Sequence, residues 1–130
     1  MTQAQRGEAL DKLAYSFAKP ITRGYLTGSQ AYAALALKAG DKLELGKAWQ
    51  TTKSAVALYR DQQRNVALNI RIALIPLIGA RKPKNVLLAE ANGINGEAGF
   101  WLTEDQVEQI VREEVRLAML PAPAGRRRGR

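Results

Sequence analysis

The chain has 130 residues and a mass of 14.3 kDa, enough for one domain with a true core or for two very small modules. Apolar residues make up 46% and charged residues 25%, the balance of a soluble globular protein, and 20 Lys+Arg against 12 Asp+Glu give a net charge of +8. With no cysteine and no histidine, the chain has no route to disulfides, zinc fingers, Cys–His nucleophile systems or Ser-His-Asp triads, and a bound metal would be a hard cation held by oxygen.

In chain order, residues 4–18 predict a helix, because Leu10, Leu13, Ala14 and Phe17 fall at i, i+3, i+4 and i+7. Pro20 is expected to stop it, and Gly24 and Gly28 mark a connection. Thr27 with Gln30 has the spacing of a capping box, and Gln30–Lys38 predicts a second helix ended by Gly40. A longer seam follows in steps of four and three: Leu45, Trp49, Thr52, Val56, Tyr59, Gln63, Val66, Ile70, Ala73 and Leu77. Polar Thr52 and Gln63 on that seam suggest a break near Asp61–Arg64. The β-branched run Ile70–Ile78 leaves one helix, two helices or a strand open, although Pro76 argues against a central strand.

Residues 79–84 read as a basic loop, after which Asn85 is expected to cap a short helix over Val86–Ala91. Asn92-Gly93 and Asn95-Gly96 signal turns in a glycine-rich connection that lacks the features of a phosphate-binding fingerprint. The last helix is the clearest. Thr103 and Gln106 form a capping box, Glu104 and Asp105 suit the positive helix end, Val107, Ile110, Val111 and Val115 supply an apolar side, and Pro121 and Pro123 end it. Leu26-Thr27-x-x-Gln30 and Leu102-Thr103-x-x-Gln106 echo each other and are taken as two independent capping boxes. The expected fold is a mostly α, compact bundle of five or six short helices. It forms a single helical domain over residues 1–120 and carries a disordered Pro/Gly/Arg-rich tail over 121–130.

The polar stretch 1–8 has no signal-peptide core, and the most apolar stretch, 66–80, is interrupted by Asn69 and Arg71. That stretch is shorter than the ~20 apolar residues a bilayer span needs. The expectation is a cytoplasmic protein with no membrane partner.

The charge is segregated. Residues 1–84 hold 14 Lys+Arg and 5 Asp+Glu, residues 85–120 hold 2 and 7, and residues 121–130 hold four arginines and no acid. Such asymmetry suits a polyanionic partner, DNA ahead of RNA, held through phosphates without sequence readout. The cations expected to carry it are Arg64, Arg71, Arg81, Lys82, Lys84, Arg126, Arg127, Arg128 and Arg130. Trp49, Tyr59 and Trp101 are potential stacking platforms, but their positions on or beside apolar seams read as core. No catalytic, cofactor or metal site is predicted. The carboxylates sit on exposed helix faces, Glu108 and Arg112 form a favourable i,i+4 pair, and Ser16, Ser29 and Ser54 have no histidine to activate them.

From Arg64 onward the sequence resembles the helical primase C-terminal module of phage and plasmid primases. The matching features are Arg64-Asn65, Leu68, Ala73-Leu74, Gly79, Val86-Leu87-Leu88, Asn92, Leu102, Gln106-Val107 and Ile110-Val111-Arg112, within residues 64–116. The resemblance implies a helix bundle that helps a replication enzyme engage template DNA, with the catalytic carboxylates on a different domain. The leading expectation is a small non-enzymatic nucleic-acid-binding accessory protein in replication or packaging of a phage or plasmid, whose second partner is a larger replication or virion protein. The alternative is a helical protein-interaction module (an adaptor, subunit or inhibitor) that docks through the seam around Trp49, Val56 and Tyr59.

Overall fold

The computed structural model describes residues 2–121, and every regular element among them is an α-helix. The order is α1 (Gln3–Ser16), α2 (Ala18–Thr22), α3 (Gly28–Lys38), α4 (Lys42–Gly79), α5 (Lys84–Ala98) and α6 (Glu104–Ala118). The chain divides into two compact units, Met1–Arg64 and Asn65–Arg130, so α4 contributes to both. Apart from Pro121, the expected tail lies outside the described residues. No helix among those described is long and apolar enough to cross a membrane.

In the first unit, Leu10, Ala14, Leu35 and Ala48 form the core, with Leu13, Phe17, Leu45 and Trp49 packed against it. The hydroxyl of Thr52 is fully buried and donates to the Ala14 carbonyl at 3.0 Å, which ties α4 to α1. That bond explains a polar residue on the seam. Pro20 does not end a helix: α1 stops at Ser16, and Pro20 is the third residue of α2. The first turn of a helix has no intrahelical use for that N–H, so proline fits there. Gly40 is not the left-handed stop expected of it either, because α3 ends on extended Ala39. The space beside it is taken by the Arg6 guanidinium and the Glu44 carboxylate, 2.7 Å and 2.8 Å from where a Cβ would sit, which pair at 3.7 Å.

The seam forms one helix, without a break at Asp61–Arg64 and without a strand. Strong helix formers (alanine, leucine, lysine, arginine, glutamine and glutamate) dominate it, and Pro76 stands in its final turns, where the Ile72 carbonyl it leaves unbonded is on an exposed face. No residue from Lys53 to Asn65 is buried.

In the second unit, Val66, Ile70 and Leu74 of α4 pack with Leu87 and Ala91 of α5 and with Val107, Ile110 and Val111 of α6. Here α5 is longer than expected. Pro83 rather than Asn85 is its N-cap, and it runs through both Asn-Gly pairs to Ala98. The reason is tertiary. Asn95 is buried, donates from Nδ2 to the Leu102 carbonyl at 2.8 Å and accepts the Leu102 N–H at 3.1 Å. The glycine-rich connection shrinks to Gly99 and Phe100, and Gly96 leaves room for the Phe100 ring, 3.3 Å from where a Cβ would sit. Both predicted capping boxes form, at Thr27–Gln30 and Thr103–Gln106.

Candidate nucleic-acid interface

The basic loop between α4 and α5 is a tight helix end. Lys82 N–H donates to the Leu77 carbonyl and Arg81 N–H to that of Ile78. This paired six-to-one and five-to-two pattern needs a left-handed residue at its fifth position. The same pattern closes α2, where Tyr25 bonds Pro20 and Gly24 bonds Ile21, and closes α5, where Phe100 bonds Asn95 and Gly99 bonds Gly96. Those two ends use glycine, Gly24 at φ 82° and Gly99 at φ 110°. The α4 end uses Arg81 at φ 58°. A side chain in that conformation costs roughly 1 kcal/mol relative to glycine. Arg81 is therefore a cation held where glycine would serve the backbone better.

Lys82 and Lys84 flank the same turn, and α6 brings Arg112 beside them. Together they line a cleft of about 230 Å³ with Leu87, Val111 and Val115 as its apolar floor. The carboxylate of Glu108 lies 2.8 Å from Arg112 and 3.9 Å from Lys84. These pairs are largely exposed, so the attraction is weak and screened, and phosphate can compete for both cations. Among the described residues, Arg81 and Lys82 form no ion pair. Pro83 offers no side-chain cap to the start of α5.

The other expected cations are placed differently. Arg71 points to α6 and pairs with Glu114 at 3.9 Å, so its charge is partly matched. Arg64 belongs to the first unit and pairs with Asp61 one turn back, at 2.8 Å. Arg126, Arg127, Arg128 and Arg130 lie outside the described residues. Arg112 was legible as half of the i,i+4 pair with Glu108, which does form, and as part of the family resemblance, but not as a binding residue. Its place in the cleft depends on how α5 packs on α6, for which no local pattern speaks.

Of the aromatic residues singled out in the sequence, Trp49 and Trp101 pack against the two cores, whereas Tyr59 is half-buried on α4 and is not among the residues packed on either. Trp49 meets Tyr32 edge-to-face at 5.4 Å, and the Trp101 indole donates to the Ala98 carbonyl at 2.8 Å. A second cleft, of about 350 Å³, lies in the first unit, where Ile21, Trp49, Val56 and Ala57 meet Lys53 and Arg60. The carboxylates near the start of α4 are engaged structurally, Asp41 accepting the Glu44 N–H at 2.8 Å and Glu44 accepting the Gly40 N–H. Among the described residues no cluster of acidic side chains could hold a metal ion. Compared with known proteins, the chain matches no family model, no curated protein and no solved structure.

Proposed function

We propose that the chain is a small non-enzymatic accessory protein that binds nucleic acid through its phosphates, DNA in preference to RNA. The observation that carries this reading is Arg81, a cation in a left-handed position that glycine fills at two comparable helix ends, next in the chain to Lys82, which with Lys84 and Arg112 lines one cleft. Backbone strain retained at an exposed charged residue points to a use for the charge. The resemblance of residues 64–116 to the primase C-terminal module supports a setting in phage or plasmid replication or packaging, beside a larger replication or virion protein. Arg71, paired to Glu114, has a lesser part in this reading than its sequence position suggested.

The test is a titration against labelled single- and double-stranded DNA and RNA at several salt concentrations, with and without residues 121–130. Binding that survives removal of those residues and weakens steeply with salt supports a site on the folded helices. Binding lost with them moves the contact to the arginine-rich segment, and no binding at low salt ends the proposal.

A second reading, a protein-interaction module, draws on the apolar cleft around Trp49 and Val56, whose rim carries Lys53 and Arg60. It predicts that Val56→Asp abolishes capture of a partner while leaving nucleic-acid affinity unchanged.

A further inference from the structure

Within the second unit, α4 is apolar on two opposite faces. Val66, Ile70, Leu74 and Leu77 face the core. On the other side Leu68, Ile72 and Ile75 follow one another at steps of four and three and are 53%, 56% and 65% exposed. A contiguous exposed apolar stripe of this kind ordinarily marks an interaction surface. The stripe does not end at α4, since Ile75 shares a cleft of about 420 Å³ with Gly79 and with Leu117 of α6, itself 47% exposed.

We propose that this face is covered by the same face of a second copy, with the two α4 helices antiparallel and a two-fold axis near Ile72. The face is self-complementary in that arrangement. Leu68, half exposed, stands at one end of the stripe, and the cleft bounded by Ile75, Gly79 and Leu117 lies at the other. Antiparallel pairing about Ile72 sets each Leu68 into the partner's cleft and packs Ile72 on Ile72, giving the isologous contact of a closed dimer. Parallel pairing would set Leu68 on Leu68 and leave both clefts empty.

The area fits as well. The four exposed side chains present on the order of 400 Å² of apolar surface per copy, the size of the largest patch a monomer carries, which is often an interaction site. A symmetric pair therefore covers roughly 800 Å² from these side chains alone, and neighbouring atoms bring it to the ~1,000 Å² of a reversible dimer. Glu114, at the cleft wall, keeps Arg71 as its counterion at 3.9 Å, so closure strands no lone charge. This proposal is independent of the nucleic-acid reading.

Sedimentation equilibrium of the full chain, from low micromolar to millimolar concentration, is expected to show a reversible monomer–dimer equilibrium. Ile72→Glu should weaken it roughly tenfold or more by placing two carboxylates at the axis, with far-UV circular dichroism unchanged because Ile72 is outside the core. The chain has no cysteine, so single substitutions report geometry directly. Under mild oxidation Ile72→Cys should cross-link to itself, and Leu68→Cys mixed with Ile75→Cys should form the mixed disulfide, while Leu68→Cys alone should not cross-link. Leu37→Cys, on the 89% exposed Leu37 of α3, measures random collision. A monomer throughout the concentration range overturns the proposal, as does Ile72→Cys cross-linking no faster than Leu37→Cys. Self-cross-linking of Leu68→Cys at the rate of Ile72→Cys overturns the antiparallel arrangement.

Discussion

Asn95 shows how one side chain can reverse a local rule. The Asn-Gly pairs at 92–93 and 95–96 favour turns, because asparagine and glycine tolerate left-handed backbone. Here the Asn95 side chain satisfies both backbone groups of buried Leu102 and fixes the chain's path from α5 into α6. Asn95→Leu should therefore cost about 3 kcal/mol, since a donor and an acceptor would be left unpaired in the core, and urea unfolding should show the loss as a lower midpoint. Thr52→Val removes a single buried hydrogen bond at nearly constant volume and should cost about 1 kcal/mol by the same measurement. Arg81→Gly should act in the opposite direction on stability, raising it by up to about 1 kcal/mol as the left-handed strain is relieved. The same variant should bind DNA more weakly. A rise in thermal midpoint with a fall in affinity is the paired outcome that assigns Arg81 to binding rather than to folding.

At the scale of elements, caps determine where helices start. Thr103→Ala breaks the capping box that begins α6, removing the hydroxyl that accepts the Gln106 N–H, and should lower stability by about 1 kcal/mol in denaturant unfolding. The same helix carries a pH-dependent pair on its surface. Arg116 hydrogen-bonds the Glu113 carboxylate and holds its pKa below the ordinary value. A carboxyl with a folded pKa below its unfolded one adds stability at neutral pH, and the gain disappears as pH falls through the folded value. Thermal melts should therefore separate Glu113→Gln from the parent chain slightly at neutral pH and not at all in strong acid. The pair lies at the surface, about half exposed, so the neutral-pH separation should be small and should shrink with added salt. The two capping boxes also belong to a longer shared pattern. Ala31 and Leu35 after the first box, and Val107 and Val111 after the second, occupy matching positions and are all fully buried. Each of these two helices, α3 and α6, thus places its core residues at the same distance from its cap.

Across the whole molecule the net charge of +8 masks an uneven layout, in which the acidic stretch 85–120 follows a basic one. Part of that acid is spent on the neighbouring cations: Glu114 meets Arg71, and Glu108 meets Lys84 and Arg112. Charge counting along the chain therefore overstates the basic surface left for a partner. If Lys82 and Lys84 each contact a phosphate, Lys82→Gln combined with Lys84→Gln should reduce the magnitude of the log–log salt slope on duplex DNA by about 1.8. Fluorescence anisotropy across a salt series reads this directly. An unchanged slope would place the phosphate contacts elsewhere.

The sequence by itself determined the helical class, two of the caps and most of the core. Leu10, Ala14, Leu35, Ile70, Val107 and Val111 repeat at helical spacing, and Thr27 and Thr103 announce their helices within four residues. These properties depend on interactions within one turn or one helix face, which adjacent residues specify. The tertiary structure decided whatever depends on residues far apart in the chain. It made α4 continuous past Thr52, whose hydroxyl needed a carbonyl of α1, and it carried α5 through two turn signals by way of Leu102. It also separated the expected cations, bringing Lys82, Lys84 and Arg112 to one cleft and turning Arg71 toward Glu114. Local periodicity fixes which face of a helix is apolar. Only packing fixes what stands opposite each side chain, and a functional site is made of such oppositions.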